Sequence, residues 1–157
     1  MPKGTKSYLV LFCTLLLVSI MLNGWPAGIY PDGSIGIVQI LTSIGWFAFL
    51  MGSILILKNT SLIRFLFNYL RFGFIGGMVV YLITLFENYL WDQTWFDIMS
   101  GIQYPLYVLF VVPMFGWNAF TAIPYGDFSF LIGFLYLLIA FGLSLRYKKI
   151  KIERLRY

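Results

Sequence analysis

Apolar residues run in long blocks along this chain, and short polar clusters separate them. A helix needs roughly 20 mostly apolar residues to cross a ~30 Å hydrocarbon core, so these blocks are read against that length. The first extends from about Ser7 to Asn23, behind Lys3 and Lys6. A positive start before an apolar stretch also describes a signal peptide, but Asn23-Gly24-Trp25-Pro26-Ala27-Gly28 lacks a clear small-x-small cleavage site. The block is therefore expected to remain as an uncleaved first span.

Trp25 to Gly36 carries Pro26, Pro31, Gly24 just before it, Gly28, Gly33 and Asp32, and reads as a loop. A second span follows from about Ile35 to Leu57 and stops at Lys58 and Asn59. Between Ser61 and Arg71, the residues Arg64, Asn68 and Arg71 fall at i, i+4 and i+7 among Leu, Ile, Phe and Tyr. That spacing describes either a short amphipathic helix at the interface or the snorkelling first turns of the next span. The third span runs from about Phe72 to Trp91, and a fourth from about Phe128 to Leu145 before the basic tail 146–157.

The block from Gly101 to Ile123 is long enough to cross, yet Pro105, Pro113 and Gly116 interrupt it. Charge arbitrates. The 11 basic residues fall in three groups: Lys3 and Lys6; Lys58, Arg64 and Arg71; and the tail from Arg146. Five of the six acids, Asp32, Glu87, Asp92, Asp97 and Asp127, lie between those groups. Four crossings put every basic residue on the cytoplasmic side and these five acids outside, as the positive-inside bias requires. Five crossings would split the basic groups, with Pro124-Tyr125-Gly126-Asp127 as a tight turn. The predicted fold is thus an all-α bundle of four transmembrane helices in a single membrane domain. Gly101–Ile123 becomes an outer-leaflet re-entrant or interfacial segment, with five spans as the alternative.

Composition agrees. The chain of 157 residues is 61% apolar, 20% aromatic and 11% charged, whereas a soluble domain carries about 25% charged residues. The net charge of +5 sits at the ends of apolar runs, not on one face of a polar fold. Lipid head groups are therefore the expected partner, and nucleic acid is excluded. Arg64, Arg71, Arg146, Lys148 and Lys149 are the expected head-group contacts. The short loops suggest a bacterial plasma membrane, with both termini cytoplasmic.

The residues offer little chemistry. Histidine is absent, which removes the usual general base and the commonest zinc ligand. Cys13 is the single cysteine, so no disulfide forms within the chain. No phosphate-binding glycine loop, dinucleotide fingerprint, zinc-protease motif or serine-nucleophile elbow is present. Neither a cofactor nor a metal is expected.

Five residues remain as a candidate ligand or ion site: Glu87, Asn88, Asp92, Trp117 and Asn118. Glu87 lies about sixteen residues, or roughly 24 Å of helix, beyond Arg71, about a turn short of the outer boundary. An ionisable group there marks an ion or substrate path, or is simply solvated at the interface. Asn118 follows the Pro113 break and serves as a ligand contact or as a cap. The other carboxylates, Asp97 and Asp127, lack helical-face spacing with Glu87 and Asp92 and read as solvated surface charge. Gly73, Gly76 and Gly77 form a close-approach surface expected to serve packing within the chain.

Three activities fit this inventory. The favoured one is non-catalytic: an accessory, immunity or regulatory subunit that acts through helix–helix contacts with a larger membrane protein or its own copies. The alternatives are a small transporter, channel or apolar-ligand binder using Glu87 and the Pro113 break, and an outer-face enzyme working with carboxylates.

Overall fold

The structure is a computed structural model that describes residues 3–29, 34–90 and 92–155. Every element in it is helical, with no strand among the described residues. Helix α1 covers Lys3–Ile29, α2 Ile37–Ile56, α3 Thr60–Leu90 and α4 Thr94–Ser100. Then come α5 (Gln103–Leu106), a π turn at Tyr107–Val111, a 3-10 stretch at Val112–Trp117, α6 (Asn118–Thr121) and α7 (Tyr125–Leu155). Five stretches are long and apolar enough to cross a membrane: Gly4–Ile29, Ile37–Ile56, Thr60–Glu87, Thr94–Thr121 and Tyr125–Ile152. A multi-pass helical membrane bundle follows from that.

Two helices outrun their apolar blocks. Helix α3 starts at Thr60, where Asn59 caps it by accepting the Ser61 N–H at 2.9 Å. Arg64, Asn68 and Arg71 are therefore early turns of one continuous helix, not a separate interfacial one. Helix α1 continues through Trp25 and Pro26 to Ile29, where composition predicts loop. Proline cannot donate the bond that the carbonyl four residues earlier expects, which here is Leu22 O. The Gln39 amide of α2 donates to Leu22 O instead, at 3.3 Å. The same side chain accepts the Gly36 N–H at 3.1 Å, so it also ties down the start of α2.

Helices α3 and α7 form the central antiparallel pair. Their backbones approach at Gly77 and Gly133; a methyl on Gly77 would lie 2.5 Å from Ser129 O and 2.9 Å from Gly133 Cα. Gly73 lies under the Tyr136 ring, and Gly126 lies against Thr84. From the Gly126–Thr84 contact to the one where Tyr147 lines a hollow with Arg64 is about twenty residues of helix. That is roughly 30 Å, the thickness of a hydrocarbon core. Glu87 and Asp127 cluster at one end of this pair, and Arg64 and Arg146 at the other. These are the acidic and basic ends below.

The block between α3 and α7 turns back on itself. Gln103 and Tyr107 border a cleft with Ala27 and Tyr125 at the acidic end. Phe110 has descended to Gly76, and its carbonyl accepts the Tyr136 hydroxyl at 2.8 Å. By Phe115 the chain is level with Phe128, ring centroids 5.5 Å apart. Gly116 then lies on Gln39, near the acidic end of α2. The deepest point is near Phe110, about halfway down the bundle.

Proline explains the turn. Pro113 has no N–H for Leu109 O and its ring crowds that carbonyl, so the α ladder widens to π and then tightens to 3-10. At membrane depth such backbone survives only where protein supplies the missing partners. Tyr69 donates to Leu109 O at 3.2 Å, Tyr136 to Phe110 O, and Asn23 to Pro113 O at 3.5 Å. Val111 through Gly116 are fully enclosed.

Candidate functional site

The hairpin leaves a cleft of about 280 Å³ at the acidic end. Gly24 and Ala27 of α1 form one wall, Val80 of α3 another, and Gln103, Tyr104, Tyr107 and Tyr125 the polar part of the lining. Helix α5 turns Gln103 inward, leaving it 3% exposed with its Oε1 unpartnered among the described residues. A buried carbonyl oxygen without a donor is costly, so this wall favours a molecule that brings an N–H or O–H. Tyr107 donates to Ala27 O at 3.5 Å, a long contact that reaches one of the open carbonyls at the end of α1.

The five residues singled out from sequence do not converge here. Glu87 is exposed and accepts the Tyr125 hydroxyl at 3.1 Å, which places it at the rim. Asp92 is exposed. The Asn88 side chain lies outside the described residues, as do Trp91 and Asp32. Trp117 sits on the far limb of the hairpin, edge-on to Phe47 at 5.0 Å, with its buried Nε1 unpartnered among the described residues.

Asn118 is fully buried and spends its hydrogen bonds on its own turn. Its Nδ2 donates to Ile123 O at 2.9 Å, and its Oδ1 accepts Thr121 Oγ1 at 2.7 Å and Ile123 N at 3.1 Å. It therefore closes the C-terminal side of α6, steadying Ala122 in a left-handed conformation at φ 49°. That is a scaffold role.

Asp97 and Asp127 are exposed. Among the described residues no three His, Cys, Asp or Glu side chains come together as a metal site. Gly73 and Gly77 are spent on α7, and Gly76 on Phe110. Arg146 caps α2 by donating to Leu55 O, one of the carbonyls that helix leaves open. Lys148 and Lys149 are exposed beyond it.

Sequence reasoning passed over Gln103 and Tyr107. An amide two residues inside an apolar block was the available signal for Gln103. Nothing in the sequence marked Tyr107 among 11 tyrosines. No known protein family, curated protein or solved structure matches this chain significantly.

Proposed function

We propose that this chain is a four-span plasma-membrane protein with both termini in the cytoplasm, acting without catalysis as an accessory, immunity or regulatory subunit. The hairpin's return to the acidic end supports four spans, because it lets every basic cluster stay on one side.

The single observation behind the subunit role is the outward face of α2. Gly45, Ala48 and Gly52 share that face, flanked by exposed Leu41, Ile44, Met51 and Leu55. A Cβ added at Gly45 or Gly52 would meet nothing within 4 Å, whereas those at Gly73, Gly77, Gly116 and Gly126 would collide with neighbours. The internal contacts thus use up one set of small residues and leave this one open. In lipid, helices associate through close packing, for which small residues are the means. A transmembrane helix of a larger protein is the partner this face fits.

The test is native electrophoresis in mild detergent, with Ala48→Cys crosslinking in intact membranes in a Cys13→Ser background. The expected result is one discrete larger species that the Gly45→Leu, Gly52→Leu double variant abolishes without loss of thermal stability. A chain that runs alone and crosslinks to nothing would exclude the subunit role.

A second reading rests on the unpartnered Gln103 Oε1: the cleft takes a small, mainly apolar ligand with one hydrogen-bond donor. Transport or signalling lost on Gln103→Leu, with the larger species intact, would favour it.

A further inference from the structure

Two hollows follow the seam between α3 and α7 toward the basic end. The larger, about 430 Å³, is lined by Phe67, Arg71, Phe74, Leu137, Phe141 and Ser144, among others. The smaller, about 180 Å³, is bounded by Arg64, Phe67, Ser144 and Tyr147. They share Phe67 and Ser144, so they form one groove with an arginine beside each half.

The depths of these arginines differ. Arg64 lies level with Tyr147, next to Arg146, which caps the basic end of α2. Arg71 is seven residues further along α3, about 10 Å deeper. Side chains on a helix tilt toward its N-terminus, which for α3 is the basic end, so Arg71 leans back over Phe67 toward Arg64. Neither arginine makes an ion pair or hydrogen bond with a described side chain, and Glu87, Asp92, Asp97 and Asp127 lie at the opposite end. A guanidinium at that depth requires an anion or contact with water; no described carboxylate side chain comes to it, and the side chain of Glu153, on the tail of α7, lies outside the described residues.

We infer that this groove is a binding site for one anionic phospholipid: its phosphodiester lies between Arg64 and Arg71, and an acyl chain lies along Phe74, Leu137 and Phe141. The inference rests on the membrane reading of the chain but not on the subunit role. Three features specify this occupant. Two guanidiniums beside one groove can each present a planar fork of N–H donors to a non-bridging oxygen of one phosphodiester. The apolar length of the groove above Arg71 suits a hydrocarbon chain, which a soluble anion lacks. The carboxylate side chains that the structure describes, Glu87, Asp92, Asp97 and Asp127, all lie at the acidic end, so two arginines set the charge of the groove, repel a choline head group and favour a lipid with net negative charge.

The experiment is native mass spectrometry of the full chain in non-ionic detergent. It is supplied with equal amounts of phosphatidylglycerol and phosphatidylcholine of the same acyl chains. The chain should retain phosphatidylglycerol preferentially. Arg64→Gln and Arg71→Gln should each lower that retention about fivefold, the share of one basic residue near a charged lipid surface. Lys148→Gln with Lys149→Gln should change it less than about twofold. Ser144→Leu keeps both charges but fills the groove, so it should displace the lipid while thermal stability shows the chain folded. Excess inorganic phosphate should not release the lipid, because it cannot replace the acyl chain. Equal retention of the two lipids would overturn the inference. So would a lysine pair that matters as much as the arginines, or release by phosphate alone.

Discussion

Gly116→Ala is the sharpest test of how the hairpin is seated. A methyl at Gly116 would lie 2.1 Å from Gln39 O and 2.4 Å from Gln39 C, both backbone atoms of α2. Ordinary contact begins at 3.4 Å, so the hairpin and α2 would have to separate by more than 1 Å. Overpacking of this kind costs about 1–3 kcal/mol. Separation also breaks the 2.9 Å bond from Gly116 N–H to Ser43 Oγ, and a buried donor left unpaired costs about 1–3 kcal/mol more. The expected loss is therefore about 2–6 kcal/mol in total. It can be measured by SDS-driven unfolding in mixed micelles, followed by tryptophan fluorescence, since Trp117 lies against Phe47 of α2. Gly45→Ala on the open face of the same helix is the control and should change stability by no more than about 1 kcal/mol. Ser43→Ala isolates the hydrogen bond and should be sub-additive with Gly116→Ala. If Gly116→Ala proves as stable as Gly45→Ala, the close seating of the hairpin on α2 is wrong.

Two further outcomes follow from the same contacts. Gln39→Leu should destabilise the chain by about 1–3 kcal/mol because it orphans Leu22 O and releases the Gly36 N–H; in a Pro26→Ala background, where a backbone N–H can serve that carbonyl, the cost should fall by about 1 kcal/mol in the same unfolding assay. Cysteines at Ser100 and Phe120, in a Cys13→Ser background, should react with a membrane-impermeant maleimide from outside intact cells, while one at Lys151 should not; labelling of Lys151→Cys together with Ser100→Cys would refute the four-span arrangement.

The ends of the helices were harder to read than their existence. Hydropathy finds α2 almost to its limits, since Ser34 and Lys58 bound its apolar block closely. It stops α1 at Asn23 because Pro26 and two glycines look like loop. The helix continues there because Gln39, 17 positions away in sequence, supplies the bond that proline cannot. Likewise the seven-residue interval from Arg64 to Arg71 announces a stripe, but not that Asn59 starts one unbroken helix beneath it. Of the candidate site, Glu87 lies near the acidic end, where it accepts the Tyr125 hydroxyl. For Asn118 the sequence leaves both a cap and a ligand contact open, because its partners, Thr121 and Ile123, depend on a left-handed residue that sequence does not reveal.

By itself the sequence determines the solvent and the class of fold. So many apolar residues in blocks of membrane length can be satisfied only as helices that close their own backbone bonds. It also separates the charges into a basic and an acidic set. Tertiary structure alone decides where the interrupted block goes. Pro113 breaks a local ladder, but the broken backbone can stay buried only because Tyr69, Tyr136 and Asn23 reach it from three other helices. Which glycines are spent inside the bundle and which remain open is likewise a matter of distance between helices, and no local pattern encodes that.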